Sequence, residues 1–209
     1  AEAHDRDRFE IFGYSRRDCN GSPFSRRFRG AFDHMKDLTT ATAPHGISSP
    51  HPGWSERDIN AMWQGTAEAI REALEKSGVA PADIACVACA GHGNGLYLID
   101  AQGAPVRNGI NSSDTRAAAI IADWMAVGVD AAALPRTAQC IWPAQPNALL
   151  AWLRVHEPAS IARASAVLMA KDFIRFKLTG SVAMELTDMS ATRLMNVVDE
   201  RYDDVMLEL

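Results

Sequence analysis

No apolar run in this chain approaches the roughly 20 residues that span a bilayer, and its first residues show no charged stretch followed by an apolar core of the kind that marks a secretory leader. The reading is a cytoplasmic protein with no membrane partner. Positive charge is also scarce: 21 Lys and Arg stand against 26 Asp and Glu, for a net charge of −5. Surfaces that hold nucleic acid or anionic lipid need clustered positive charge, so neither is expected as a partner. Four cysteines in 209 residues do not make a disulfide framework. Cys86 and Cys89 form a C-x-x-C pair, but residues three apart on a strand face opposite sides, and no second pair completes a zinc site. They are expected to be buried and structural, and no metal is expected. His51 and His156 lack metal-like partners and read as structural or exposed.

Apolar residues are plentiful. A hydrophobic content of 47% supports a substantial core and one domain, or most of one. Residues 1–40 differ from the rest, with seven arginines, five of the seven phenylalanines and no sustained period. From Pro44 onward the pattern is regular. Ser55-Glu-Arg-Asp58 reads as a variant capping box before a helix whose apolar face carries Ile59, Met62, Trp63, Ile70 and Leu74, stopped by Gly78. The run 84–90 reads as a strand, Gly91-His-Gly-Asn-Gly95 as a glycine-rich crossing, and Leu96–Asp100 as a second strand turning at Ala101-Gln-Gly103 toward a third at Val106. Asp114 can cap a helix carrying Ile120, Ile121, Trp124 and Met125. Another helix is predicted from about Pro143 to His156 and closed by Pro158, a short one over Lys171–Gly180, and one more opening at Thr187-Asp188. The fold class is α/β, with helices packed on a sheet.

Two constellations carry candidate chemistry. Gly91–Gly95 lacks both the Gly-x-Gly-x-x-Gly period and a terminal Gly-Lys-Ser/Thr, and a strand follows it, so it is no phosphate loop. Its alternating glycines allow close backbone approach while His92 and Asn94 offer polar atoms, which suits a polyol; a β-bulge with exposed His and Asn fits the spacing equally. Asn111-Ser-Ser-Asp-Thr-Arg116 could bind sugar hydroxyls, or could be an ordinary helix cap with Arg116 as a surface charge. Lys171-Asp172 reads as a surface ion pair of little energetic value.

In order along the chain, these segments resemble the FGGY carbohydrate kinases over about residues 44–205. His51-Pro-Gly-Trp-Ser-Glu-Arg-Asp58 with Trp63 resembles the family's HPGWxExD element. Gly91–Gly103 stands where pentulose kinases carry a sugar-contacting segment, and Ser112–Arg116, Lys171-Asp172-Phe173, Leu178-Thr-Gly180 and Thr187-Asp188 match further elements. Gly93-Asn94 replaces the usual methionine-histidine and Ser112 the usual tryptophan, a pattern similar to L-xylulose-type kinases. The resemblance implies an incomplete ribonuclease H-like lobe of the actin-like ATPase superfold over residues 41–209. It implies phosphorylation of a sugar or polyol by ATP and Mg2+ in the intact kinase. It places His92, Gly93 and Asn94 at the sugar, with Asp114 and Arg116 lining their neighbourhood. The family's opening phosphate turn and its general base find no counterpart in this sequence. The chain alone is therefore expected to be inactive and to bind no nucleotide tightly, and a non-catalytic sugar-binding module is the alternative. A homo-oligomer is compatible with the sequence. The codons permitted for Asp5–Ser15, shifted by one base, allow Ile-Ala-Ile-Asp and a continuation close to the family's opening strand. Residues 1–40 are thus expected to be out of frame and poorly packed.

Overall fold

The computed structural model describes residues 12–13, 34–35, 39–44 and 46–208. The chain divides into two compact units, residues 1–43 with 67–86 and residues 44–66 with 87–209. In the first, β1 (Phe12–Gly13) pairs in parallel with β2 (His34–Met35). The expectation of a frame change in residues 1–40 otherwise falls outside the described residues.

Helix α1 (Ile59–Ser77) starts where Asp58 Oδ1 accepts the backbone N–H groups of Asn60 and Ala61, at 2.8 and 3.0 Å. The cap is therefore Asp58 rather than Ser55, because Ser55 leads into strand β3 (Glu56–Arg57). Gly78 ends the helix with φ of 66°, its N–H on Leu74 O.

The larger unit is built around strand β4 (Tyr97–Ile99). Strand β5 (Gly109–Ile110) pairs antiparallel with β3, and the bridge Leu96–Ile110 joins that pair to β4. On its other side β4 pairs antiparallel with β6 (Ala166–Leu168), Leu98 opposite Val167. Side chains alternate across a strand. Leu96 and Leu98 accordingly enter one apolar cluster with Ile110, Ile121, Leu149 and Leu153, and Tyr97 and Ile99 enter the other with Ile59, Met62, Leu168 and Phe173. Both faces of β4 are covered, and Tyr97 is wholly buried with no partner for its hydroxyl. A Cβ at Gly109 would stand 2.5 Å from the Tyr97 ring, so only glycine lets the neighbouring strand close on it.

Helices α2 (Ala118–Ala126), α3 (Val129–Thr137), α4 (Pro146–His156) and α5 (Pro158–Arg163) follow β5. Pro146 takes the first turn of α4, where its missing N–H does no harm. Pro158 does the same for α5, so it opens a new helix as well as closing the old one. Helix α6 (Ala170–Thr179) ends at Gly180 with φ of 71°. Helix α7 (Leu186–Ala191) is capped by Glu185, which accepts from the N–H groups of Thr187 and Asp188. The hairpin β7 (Met195–Asn196) and β8 (Arg201–Tyr202) and the short α8 (Asp204–Leu207) complete the chain. Among the described residues no single helix is long and apolar enough to cross a membrane.

Residues 84–90 correct the sequence reading. They form no strand, and Ile84 and Val87 are 43% and 65% exposed. Cys86 is exposed and Cys89 half-buried, against the expectation that this pair is buried. A strand exists only where a neighbour takes its N–H and C=O groups, and among the described residues no strand pairs with this run.

Candidate functional site

Two polar clusters flank the Gly91–Gly95 segment in the chain's own unit, and the sequence had marked part of each. The first holds Asp114 and Arg116. Arg116 Nε donates to Asp114 Oδ1 and Nη2 to Oδ2, each at 2.9 Å, and Nη2 also reaches Glu56 Oε1 at 2.8 Å. The guanidinium lies 4.0 Å over the Trp54 ring and 5.2 Å from that of Trp152. Trp54 in turn meets His51 and Trp152 edge-on, and Trp152 stacks on His156. Glu56 also pairs with Arg107, whose Nε lies 3.2 Å from Glu157 Oε2. Burial pushes the Glu56 carboxyl up, but the hydrogen bonds and charges of Arg116 and Arg107 together hold it below the ordinary value.

Asp114 completes this knot by accepting the Ser55 N–H at 2.6 Å, while Asn111 N–H donates to Ser55 O and Thr115 N–H to Gly53 O. Strap 53–57 is thereby fastened to segment 109–116. Arg116 is no surface charge: its side chain is fully buried, with Nη1 buried and without a hydrogen-bond partner. Asp114 is not the cap of α2, which begins four residues later with Ala117 at its cap position. The reason is local: a carboxylate two residues before an arginine can close on it as a fork once both are shielded by tryptophan rings.

The second cluster lies along the glycine segment itself. A Cβ at Gly91 would stand 3.4 Å from Lys171 Cβ, and one at Gly93 3.4 Å from Asp188 Oδ1. Asn94 holds a left-handed backbone, φ 64°, and its N–H points at Met169 Sδ at 3.1 Å. Gly95, φ 78°, lies against Ile110 and Asn111, where a Cβ would be 2.4 Å from Ile110 O. Its N–H donates to Ala144 O. The segment is thus held between α6 and α7 on one side and residues 110–112 on the other. His92 is exposed, Gly93 and Asn94 are half-buried, and Asn94 Oδ1 is buried with no hydrogen-bond donor.

Lys171 Nζ donates to Glu185 Oε2 at 2.7 Å and stands 3.4 Å from Asp188 Oδ2. The latter is an ion-pair distance without hydrogen-bond alignment, since Asp188 Oδ2 has no donor. Asp172 accepts the N–H of Met169 and of Glu185, both at 3.2 Å, and so ties the start of α6 to the start of α7. Lys171-Asp172 is consequently no surface pair: Asp172 is buried. Burial raises Asp172 and Asp188, outweighing the nearby lysine. Glu185, bonded to Lys171 and Thr187, is pulled down to about 2, and the Glu185 hydrogen bond raises Lys171. A cleft of about 500 Å³ adjoins this cluster, lined by Val87, Cys89, Lys171, Asp172 and Glu185 among others. A hollow of about 570 Å³ elsewhere is lined mainly by aliphatic side chains such as Leu98, Ile161 and Leu168 and presents little chemistry.

The structure therefore brings Gly93 and Asn94 together with Lys171, Asp172, Glu185 and Asp188, and sets Asp114 and Arg116 in the other cluster. Sequence reasoning missed the acidic members because each stands beside a helix start, where a carboxylate has an ordinary capping explanation. The only signal was that Lys171-Asp172 and Thr187-Asp188 both belonged to the ordered set of resembling segments.

Residues 28–209 match the profile described as the FGGY family of carbohydrate kinases, N-terminal domain. The chain is 36% identical over 163 residues to a probable L-xylulose kinase of Pasteurella multocida, covering 78% of this chain and 34% of that protein. It is 34% identical over 192 residues to the L-xylulose/3-keto-L-gulonate kinase of Escherichia coli, covering 91% and 38%. Among solved structures, xylulose kinase from Rhodospirillum rubrum superposes with a TM-score of 0.71 at 25% identity, over 79% of this chain and 34% of that one. A kinase from Brucella ovis titled xyloylose kinase gives 0.71 at 26%, over 80% and 34%. The chain spans little more than a third of the length of these relatives. Its fold is part of the actin-like ATPase fold of those kinases.

Proposed function

The chain belongs to the FGGY family of carbohydrate kinases, and from that membership we propose that it is the sugar-binding portion of a pentulose kinase, with the sugar seated on Gly91–Gly95. In the whole kinase, ATP with Mg2+ would phosphorylate a hydroxyl of a ketose such as xylulose. The observation that carries the reading is the glycine segment. Its backbone is pressed between α6, α7 and residues 110–112, and Asn94 keeps an oxygen buried with no protein donor. Buried polar atoms are ordinarily hydrogen-bonded, and a sugar hydroxyl is a fitting donor.

Asp114 and Arg116 serve this site at one remove. By clamping strap 53–57 onto segment 109–116 they hold residues 110–112, which form the wall behind Gly95.

The glycine segment runs into β4 rather than a helix, so it lacks the helix N-terminus that ordinarily receives a phosphate. This segment is proposed to receive the sugar and not the nucleotide, and a sugar-binding module is the second reading. Titration calorimetry with a pentulose and separately with MgATP tests both. Saturable binding of the sugar and none of the nucleotide is expected, and no heat with any pentulose sinks the proposal.

A further inference from the structure

The main chain of residues 91–94 is held by very little. Among the described residues its one hydrogen-bond partner is the Met169 sulfur, which takes the Asn94 N–H at 3.1 Å. Backbone pairing resumes only beyond it, where Gly95 donates to Ala144 O and Leu96 exchanges hydrogen bonds with Ile110. Met169 itself is fixed. It follows β6, whose Leu168 lies opposite Tyr97; its N–H donates to Asp172 Oδ2 at 3.2 Å, and its carbonyl accepts the Phe173 N–H at 3.0 Å. The residue is wholly buried, so water does not compete for the sulfur. A left-handed backbone at a non-glycine residue persists when its surroundings fix it, and Asn94, φ 64°, has this contact.

Resting on the sugar-binding reading above, we propose that Met169 is a positioning residue: its sulfur fixes the Asn94 turn and thereby the level at which Gly91–Gly95 meets the sugar. A thioether accepts a hydrogen bond weakly and donates none, and its flexible arm otherwise fills a core much as leucine would. The sulfur is what separates the two roles. Leucine keeps the volume and removes the acceptor. The Asn94 N–H is then left without a partner, a loss the segment relieves by shifting toward water.

The test begins with amide hydrogen exchange of the 209-residue chain, read residue by residue by NMR. Among residues 91–94 the Asn94 N–H is expected to be the protected one, and exchange as fast as at Gly93 overturns the proposal. Met169→Leu should speed Asn94 exchange several-fold, as for the loss of one hydrogen bond, and move its amide resonance while the amides of β4 stay protected. In calorimetric titration the same variant should bind a five-carbon ketose several-fold more weakly, with urea unfolding still cooperative. A mere core filler would show the reverse, a lower unfolding midpoint with the Asn94 amide and the ketose affinity unchanged, and that result overturns the assignment. An Asn94 amide freed by leucine with ketose affinity unchanged overturns it as well. Absence of ketose binding in the unaltered chain overturns instead the sugar-binding reading beneath it, and Asn94 exchange still decides whether the sulfur holds the segment.

Discussion

The Arg116 knot and the Lys171–Asp188 cluster have similar ingredients, carboxylates crowded around cations at low exposure, but opposite electrostatic balance. In the knot, two guanidinium groups converge on Glu56 and hold its carboxyl below the ordinary range despite burial. In the cluster, one ammonium is shared and Asp188 is pushed above its ordinary value. The sign of the shift separates a carboxylate whose guanidinium partners outweigh its burial from one whose burial wins. The sequence pointed to both, and the proposed sugar site lies beside the second.

The contrast breaks first at the knot. Arg116→Ala leaves Asp114 and Glu56 buried beside an empty space, and loss of one partner from a buried pair costs about 3–5 kcal/mol. Urea unfolding should show a loss of that size, and a loss under about 1 kcal/mol would mean that the strap is held some other way. Between the two clusters, Gly95→Ala forces a Cβ to 2.4 Å from Ile110 O at φ 78°. Destabilisation of about 1–3 kcal/mol is expected, again by urea unfolding, together with weaker ketose binding as the wall shifts.

Within the cluster the effect moves from stability to affinity. Asn94→Gly suits the left-handed backbone, so unfolding should be unchanged or slightly improved. Ketose affinity should fall several-fold, as expected for one hydrogen bond worth about 0.5–1.5 kcal/mol. Unchanged affinity would place the sugar elsewhere.

The smallest effect is in acid. Glu185, held at about 2, contributes stability that is full above the ordinary glutamate value of 4.5 and fades as pH falls through about 2. Asp172 and Asp188 run the other way: ionised and buried at neutral pH they oppose folding, an opposition relieved as pH drops through their raised values. Carboxyl-carbon NMR titration should place Glu185 below, and both aspartates above, their ordinary midpoints.

Much of the second half of the fold was legible. The apolar run Leu96-Tyr-Leu-Ile marks β4, and the face of α1, Gly180 and the Ala101–Gly103 turn were readable because local chemistry decides them. Asp100 Oδ1 accepts from Gln102 and Ala104 much as the sequence suggests. Residues 84–90 misled because strand pairing depends on a distant neighbour, which composition does not report. The candidate site was half legible for the same reason. Spacing shows that Gly93 and Asn94 can approach a ligand. That Asp188 lies across from Gly93 and that Asp114 faces inward depends on contacts 59 to 95 residues apart, such as Ser55 N–H to Asp114.

The burial of Tyr97 under Gly109 gives the molecule an internal optical gauge. Its phenol, raised by burial and only partly countered by Arg57, holds its proton more tightly while β4 is covered on both faces. Below the ordinary tyrosine value of 10.0 this makes no difference to folding. As pH climbs past it, the unfolded chain ionises first and stability is lost. Absorbance of this phenol should therefore titrate later in the folded chain than in the unfolded one, which an alkaline titration with and without denaturant reads directly.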